Sequence, residues 1–337
     1  MAKVAKIIIN HEYNPISMDI LMQGEVIPFD IYIKRYNNFV VIIESGTILD
    51  ENLMKKLINH ETMYIKYHDS DKLNDYMALH NSIPPLNHSK KIADPISEAL
   101  NITEKSTHIS DLKQKLFFVY STTAELTRYL FEKRDENLHH DALYACVRGI
   151  IDTLNTNINA MPIILKFMPE TYTTHNHSTN VAFFVTIIGN KLKMSQEELI
   201  DLTYAGLLHD IGKIRIDSVI LDKPSTLKED EFETVKQHSV AGYEILVKNG
   251  IINQIILQGV KHHHERLDGS GYPEHLPDKM IPKAARIIGM CDTFDALTTK
   301  RTFRKNYTSF EALLMMKRDM STQFDESLVD ILIQMLR

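Results

Sequence analysis

Ionisable side chains fall on the apolar faces of successive predicted helices in the C-terminal half of this 337-residue chain. His177, for example, precedes Val181, Phe184 and Ile188 at helical spacing, which turns it toward the core. Burying unpaired polar groups costs several kcal/mol each, whereas imidazoles and carboxylates that converge on divalent metals satisfy one another. One buried histidine is commonly structural, but the joint pattern favours a metal cluster. Five predicted helices contribute an inward residue: His177, His209, His238, His263 and Asp292.

The sequence His209-Asp210-Ile211-Gly212-Lys213 closes one of these helices. A carboxylate has two oxygens and can bridge two cations, so Asp210 beside a histidine suits a binuclear centre. The set mixes histidines with carboxylates and contains no clustered cysteines, which favours iron or manganese and leaves zinc or nickel as substitutes.

A second motif, HHHERLDGSGYP, spans residues 262–273 and joins a predicted helix to a glycine-rich loop. Two glycines flank Ser270 and permit unusual backbone angles and the close approach of a ligand, while Pro273 fixes the exit from the loop. We expect this loop to expose Tyr272.

Together these motifs resemble the HD-GYP family, the bacterial cyclic di-GMP phosphodiesterases of the HD superfamily. The resemblance runs from about residue 173 to the C-terminus. It includes the position of His177, the segment KQHSVAGYEIL around His238, and ARIIGMCDTFDALTTKRTFRK, which contains Asp292. The resemblance implies an all-α HD-type helical bundle that hydrolyses cyclic di-GMP with the help of metal ions.

The resemblance also implies roles for individual residues. Asp210 takes the bridging position and, with Lys213, a catalytic role, while Lys213, Tyr272, Arg301 and Arg304 contact the substrate. The two arginines are three residues apart on a predicted helical turn, and guanidinium groups suit phosphate oxygens. Seven residues match the family's metal ligands: His177, His209, Asp210, His238, His263, His264 and Asp292.

One position departs from the family's pattern. In members proposed to hold three metals, a glutamate stands one helical turn before the first histidine, and Thr173 occupies that position here. A hydroxyl is a poor substitute for a carboxylate, so we expect two divalent ions, and a third only if Glu170, His175 or a substrate atom reaches the site. His175 and His262 are interpreted as outer-shell or surface residues. Three acidic residues are expected to orient ligands or the loop: Glu265, Asp268 and Asp295.

The expected reaction is metal-assisted hydrolysis of a phosphodiester to the linear dinucleotide pGpG. Cleavage onward to GMP and action on hybrid cyclic GMP-AMP stay open. Two other functions are alternatives. The chain could be a weakly catalytic or inactive cyclic dinucleotide sensor, although a pure binder has little need of a complete ligand set. It could also be an HD-type phosphohydrolase of other nucleotides, which the intact GYP loop disfavours.

The N-terminal part of the chain predicts a small α+β domain. The segments FDIYIKR and FVVIIES flank a turn at residues 36–38, Asp50 suits the N-cap of a helix, and TMYIKYH predicts another strand. Pro84, Pro85 and Pro95 predict a linker over about residues 81–95. Amphipathic helices then follow to about residue 159, either as a spacer or dimerisation stalk or as part of the second domain. His139-His140-Asp141 lacks a following Gly-Lys and is interpreted as a solvated helix start.

We therefore predict a mainly α protein in three segments: a small α+β regulatory domain (1–80), a linker and helical spacer (81–160), and an HD-GYP phosphodiesterase domain (161–337). The spacer is a candidate surface for a homodimer. No motif in the first segment predicts the signal or partner that it recognises.

Charge and cysteine content limit the partners and the compartment. Thirty-eight basic and 44 acidic residues give a net charge of −6, which disfavours a nucleic-acid polymer or an anionic membrane surface and requires a local basic pocket for cyclic di-GMP. Only Cys146 and Cys291 are present, no apolar run approaches the roughly 18 residues of a membrane span, and the N-terminus has no signal-peptide pattern. We expect a cytoplasmic protein.

Overall fold

The computed structural model describes residues 13–16, 21, 24–35, 38–57, 63–69, 72–73, 76, 94–134, 136–155, 160–168, 173–221, 223, 225–299 and 307–336. The chain divides into two compact units, Met1–Asn87 and His88–Arg337. Most of the described residues are helical, and the strands among them all lie in the first unit. The predicted mainly α fold class is confirmed.

A four-stranded antiparallel sheet with the spatial order β1-β4-β2-β3 organises the first unit. Its elements are β1 (Tyr13–Ile16), β2 (Ile31–Arg35), β3 (Asn38–Ile43), helix α1 (Glu51–Leu57) and β4 (Met63–Lys66). Because side chains alternate along a strand, β2 and β4 each turn one face to the core. The inward residues of these two strands are buried: Ile31, Ile33, Met63 and Ile65.

The structure confirms the predicted hairpin strands, the helix cap and the later strand, although each strand is shorter than its predicted segment. Residues 36 and 37 of the predicted turn lie outside the described part of the chain. Asp50 Oδ1 accepts a hydrogen bond from the Leu53 backbone N–H over 2.8 Å, which caps α1. The sequence pattern did not predict β1. Pro15 within it suits the edge position that this strand occupies.

The second unit is a bundle of helices, most of which are joined by short connections. Its helices are α2 (Pro95–Leu100), α3 (Ile102–Thr107), α4 (Leu112–Lys133), α5 (His140–Asn155), α6 (Met161–Phe167), α7 (Thr174–Lys191), α8 (Gln196–Leu208), α9 (Ser218–Leu221), α10 (Glu229–Lys236), α11 (His238–Lys248), α12 (Gln254–His262), α13 (Lys283–Thr298), α14 (Ser309–Arg318) and α15 (Glu326–Met335). A short 3-10 turn over Ile211–Arg215 follows α8. No helix within these described stretches is long and apolar enough to cross a lipid bilayer.

Helices α4 and α5 pack within the second unit. α4 contacts α5 and α7, and α5 contacts α8. Many of their apolar side chains are fully buried there, including Leu116, Leu126, Val147 and Ile150. The assignment of these helices to a spacer or to the second domain stays a prediction, as does a homodimer formed through them.

Two details of the connecting regions correct the sequence analysis. Most of the predicted linker lies outside the described residues, but Pro95 begins α2 instead of breaking structure, because the first position of a helix needs no N–H donor. His140 begins α5 as predicted and Asp141 is exposed, but the His140 ring is half-buried and both of its nitrogens have protein partners. Its Nδ1 lies 2.8 Å from the hydroxyl of Tyr204, and its Nε2 lies 3.0 Å from the backbone oxygen of Asn249.

Five helices surround the inward histidines. α7 packs against α8 and α13, while α12 packs against α8, α11 and α13. The capping box of Ser195 and Glu198 fixes where α8 begins. The ends of α8 and α12 and the beginnings of α7 and α11 are thereby brought to one region of the bundle.

Candidate metal centre

Four buried imidazoles converge in this region. His177 lies in the first turn of α7 and His209 directly follows α8, while His238 begins α11 and His263 directly follows α12. None is more than 2% exposed. Their Nε2 atoms face one another in pairs, 3.3 Å apart between His177 and His209 and 3.3 Å apart between His238 and His263.

The opposite nitrogen of each ring, Nδ1, lies within hydrogen-bond distance of an oxygen acceptor. Three acceptors are backbone carbonyls three residues earlier: Gly206 for His209 (2.8 Å), Val235 for His238 (2.6 Å) and Val260 for His263 (2.7 Å). The acceptor for His177 is Asp295 Oδ2, at 2.7 Å. Because these oxygens accept, Nδ1 carries the proton of each neutral ring and Nε2 keeps its lone pair. The facing Nε2 lone pairs repel one another unless a cation lies between them.

Two carboxylates complete the cluster. Asp210 Oδ1 lies 3.2 Å from His238 Nε2, and its Oδ2 lies 3.5 Å from His209 Nε2. Asp292 Oδ1 lies 3.0 Å from His177 Nε2, and its Oδ2 lies 3.7 Å from His264 Nδ1. Each carboxylate thus contacts imidazoles from different helices.

These side chains form two groups that can each hold a metal ion and that share Asp210. The first group is His177, His209 and Asp210, and the second group is Asp210, His238, His263 and His264. The candidate ligand atoms of each group lie within 4.8 Å of one another. Mixed imidazole and carboxylate donors suit divalent transition metals. Asp292 reaches toward both groups.

Burial and neighbouring charges set the protonation states that metal binding requires. Burial lowers the pKa of His209, and burial together with the adjacent imidazoles holds the pKa values of His263 and His264 well below the ordinary range. Burial alone would raise the pKa of Asp210, but the ammonium of Lys213 and the nearby imidazoles outweigh it and hold that pKa well below its usual value. His209, His263 and His264 are therefore neutral and Asp210 is charged, as in metal-bound forms.

Glycine at position 212 allows the 3-10 turn to press against α11. A Cβ atom at this position would lie 1.9 Å from the backbone oxygen of His238, so no larger residue fits. This close approach brings Asp210 next to His238. Within the same turn, Lys213 Nζ lies 2.5 Å from Asp210 Oδ2.

The loop after His264 is held by Glu265. Its two carboxylate oxygens accept hydrogen bonds from the backbone N–H groups of Glu274 (2.7 Å) and Leu276 (3.0 Å). Glu265 therefore orients the loop, as the sequence analysis expected. Gly271 allows a close approach within the chain itself, since a Cβ there would lie 2.4 Å from Glu265 Cα, and the expected approach of a ligand stays a prediction.

Tyr272 and Lys236 line the outer side of the second group. The Tyr272 ring stacks on His264, with centroids 4.5 Å apart and planes inclined by 27°. Lys236 Nζ lies 5.6 Å from the centroid of the Tyr272 ring. Burial raises the pKa of Tyr272, which keeps its phenol neutral. Lys236 is a cation beside the site that the sequence analysis missed, since nothing in its local pattern distinguishes it from a surface lysine.

The structure brings together all seven residues that match the family's metal ligands, and their role as ligands stays a prediction. Arg301, Arg304 and Glu170 lie outside the described residues. Thr173 caps α7: its Oγ1 accepts from the Asn176 backbone N–H over 3.3 Å and lies 3.2 Å from His175 Nε2.

The neighbouring residues divide into buried and exposed positions. His262 is 3% exposed, so the surface position considered for it is wrong, while the outer-shell position fits its burial. Asp268 holds the loop through Ser270 and Thr322 instead of contacting a candidate ligand. Asp295 orients His177, as expected.

Residues 162–328 match the family model described as the HD domain. Within that stretch the HD and GYP motifs lie at one cluster of imidazoles and carboxylates. The chain carries an HD domain of the HD-GYP type. This domain implies divalent metal binding, and the two groups supply suitable donors.

Two curated relatives are similar to the HD-GYP stretch. The chain is 39% identical over 151 residues to the cyclic di-GMP phosphodiesterase response regulator RpfG of Xanthomonas campestris pv. campestris, covering 44% of this chain and 39% of that protein. It is 37% identical over 152 residues to 3'3'-cGAMP-specific phosphodiesterase 3 of Vibrio cholerae, covering 45% of this chain and 33% of that protein. The chain thus spans less than half the length of these relatives.

The fold is similar to that of a solved HDG"Y"P protein from Bdellovibrio bacteriovorus. The TM-score is 0.55 at 16% sequence identity, with 96% of this chain and 99% of that chain covered. At this identity the likeness shows the fold alone.

Proposed function

We propose that this protein hydrolyses cyclic di-GMP to linear pGpG at a binuclear metal centre. The observation that carries the proposal is the set of facing Nε2 atoms in the first and second groups. Each of the four rings has its Nδ1 atom bonded to an oxygen, and the Nε2 atoms face one another at 3.3 Å in a buried site. Neutral imidazoles in this arrangement are favourable only around cations.

The chain's own residues then have distinct tasks. Divalent ions bound by the two groups would supply an activated water and neutralise negative charge on the phosphate. Asp210 joins the two groups, and Lys213 adds positive charge beside its carboxylate. Tyr272 and Lys236 offer an aromatic face and a cation on the outer side of the second group, which suit a base and a phosphate of the substrate. Arg301 and Arg304 are proposed as further phosphate contacts.

The substrate class is inferred from two sources. Relatives with this domain are named as cyclic di-GMP or 3'3'-cGAMP phosphodiesterases. The chain as a whole is acidic, with a net charge of −6, so local cations are needed for a dinucleotide that carries two phosphates. Iron or manganese is proposed as the metal because the donors are imidazoles and carboxylates without a thiolate. Both cysteines are buried and unpaired, which suits a reducing cytoplasm.

The test combines turnover with product analysis. Metal-free protein and protein reconstituted with Fe²⁺ or Mn²⁺ under anaerobic conditions are each given cyclic di-GMP, 3'3'-cGAMP or dGTP, and products are separated by chromatography. The proposal expects metal-dependent formation of pGpG from cyclic di-GMP, and the same chromatogram shows whether cleavage continues to GMP.

His263→Ala and His140→Ala form a matched pair for this experiment. Both histidines are buried or half-buried and have close polar neighbours at both ring nitrogens, but the partners of His140 are Tyr204 and Asn249, outside the two groups. We expect His263→Ala to abolish turnover and His140→Ala to keep it. Preferred turnover of 3'3'-cGAMP or dGTP would overturn the substrate assignment. Tight binding of cyclic di-GMP without turnover in any metal form would favour a sensor instead.

A further inference from the structure

Three hydrogen bonds connect a helix outside the family-matched stretch to the first group. The Tyr120 hydroxyl donates to Asn180 Oδ1 over 2.5 Å, and Asn180 Nδ2 donates to Asp295 Oδ1 over 2.8 Å. The other oxygen of Asp295 accepts from His177 Nδ1 over 2.7 Å. Tyr120 lies in α4, whereas the match to the HD domain begins at residue 162.

The chemistry of the groups fixes the direction of each bond. A phenol whose hydrogen points at the amide oxygen leaves the amide nitrogen to face Asp295, and a carboxylate accepts from both sides. Burial and the charge of Asp295 raise the pKa of Tyr120 well above its ordinary value, so the phenol keeps its proton. His177 must then donate from Nδ1, which leaves its Nε2 lone pair toward His209 and Asp292.

The four side chains are also packed so that none can swing away. Tyr120, Asn180, Asp295 and His177 are each at most 2% exposed. The Tyr120 ring packs against Phe183, with centroids 5.5 Å apart. Asp295 Oδ1 is therefore held by Asn180 of α7, and Tyr120 of α4 holds Asn180 in turn.

We propose that Tyr120 is a positioning residue for His177: through Asn180 it holds Asp295 in the orientation that fixes the ring plane and the tautomer of this candidate metal ligand. The inference rests on the proposed function, in that His177 is taken to bind metal. It extends the site to α4, so the helices before the family-matched stretch take part in building the metal centre. Outer partners of metal-binding imidazoles commonly affect metal affinity in this way.

The test measures metal affinity directly. Metal-free full-length protein is titrated with Co²⁺ and followed by its visible absorption, for the wild type and for Tyr120→Phe. We expect Tyr120→Phe to lower the affinity of one of the two Co²⁺ binding steps by about threefold to tenfold. This is a smaller loss than the roughly 10- to 100-fold typical of a direct outer partner. The other step should be unchanged.

Tyr204→Phe is the matched control. Tyr204 is a buried tyrosine of α8 whose hydroxyl lies 2.8 Å from His140 Nδ1, remote from His177 in the hydrogen-bond network. Tyr204→Phe removes a hydrogen bond comparable to the one that Tyr120→Phe removes. Both variants should therefore lose similar thermal stability, while only Tyr120→Phe loses Co²⁺ affinity. Equal Co²⁺ affinities in the two variants would overturn the proposal.

A double-mutant cycle separates positioning from a general structural effect. In the Asp295→Asn background, Tyr120→Phe should change Co²⁺ affinity by less than about twofold, since the residue through which it acts has been altered. Full additivity would contradict the proposal, as would a wild type that binds no Co²⁺. If the wild type binds Co²⁺ and the cycle behaves as expected but cyclic di-GMP is not hydrolysed, the proposed function fails while the positioning role holds.

Discussion

The first and second groups share Asp210 but are supported by different parts of the chain. In the first group, His177 is oriented by Asp295, which is 118 residues away in sequence. In the second group, His238 and His263 are oriented by carbonyls only three residues earlier. The first group is also closed, whereas the His264 side chain of the second group is 18% exposed beside Tyr272.

This difference separates two properties of the site. In the first group a long-range bond orients His177, whereas the nearby Gly206 carbonyl orients His209, so metal retention there depends in part on a side chain far from the HD motif. The second group is supported by its own helices and has an outer face, so approach of the substrate depends on that face. Variants that alter both groups, one group or neither should therefore differ in their effects on metal content, turnover and stability.

The largest loss of metal and of turnover is expected from a change at Asp210, the residue that the two groups share. Asp210→Asn keeps the shape of the side chain but removes the shared negative charge, so both groups should lose metal. We expect kcat for cyclic di-GMP to fall by about 10³-fold or more, because metal-ion catalysis contributes several kcal/mol. Steady-state kinetics and elemental analysis of the same sample check this. Asp201→Asn is the control: Asp201 is a carboxylate of α8 bonded to Asn253, and its replacement should leave both properties intact.

A change at Asp295 should lower the metal affinity of the first group and leave that of the second group unchanged. Asp295→Asn replaces a carboxylate that accepts from both His177 and Asn180, so an amide nitrogen must face a donor and the His177 ring loses its orientation. We expect the affinity of one metal to fall by roughly 10- to 100-fold while the other is retained. Equilibrium dialysis at limiting Mn²⁺ measures both affinities. Equal weakening of the two sites would show that they are not separately supported.

A change at Tyr272 should affect substrate without affecting metal. Tyr272→Ala removes the ring that stacks on His264. We expect KM to rise by about threefold to tenfold, the value of one aromatic contact, with the metal content unchanged. Tyr243→Ala serves as the control, since that ring also lies beneath a lysine, Lys261, but belongs to α11 and not to the loop that carries Tyr272. A loss of metal in Tyr272→Ala would mean that the loop supports the second group directly.

The smallest effect is expected at an ion pair remote from both groups. Glu136 accepts from Arg215 (2.8 Å) and Lys248 (2.7 Å), and these bonds lower its pKa to about 2. A lowered carboxylate pKa stabilises the fold above the unfolded-state value of about 4.3 and loses this contribution as the pH falls toward the folded-state value. Glu136→Gln should therefore cost under about 1 kcal/mol at pH 7, and the difference should shrink toward pH 2. Urea unfolding at several pH values measures it. A difference that grows on acidification would contradict this sign.

The sequence was informative where a local pattern determined the structure. Helical spacing predicted that His177, His209, His238, His263 and Asp292 turn inward, because residues on one helical face share one environment. The five residues are indeed buried together. The hairpin strands and the Asp50 cap followed from equally local patterns.

The sequence was uninformative where packing between distant helices determines which side chains contact one another. Asn180 and Tyr120 occupy ordinary core positions of their helices. Only the packing of α4 and α13 against α7 reveals that Tyr120 meets Asn180 and that Asn180 meets Asp295. The same holds for His140, whose partners lie 64 and 109 residues away. Gly271 shows another way in which the sequence was uninformative. A glycine in a loop predicts that other atoms come close to its backbone, but it does not tell which atoms these are.

The count of metal ions per chain tests the central claim most directly. Protein purified anaerobically and reconstituted with Fe²⁺ or Mn²⁺ is freed of excess metal, and its bound ions are measured by elemental analysis. The two groups predict about two ions per chain, and Asp210→Asn should reduce both. Retention of no ion after reconstitution, or of one ion that Asp210→Asn leaves in place, would contradict a binuclear centre built around Asp210.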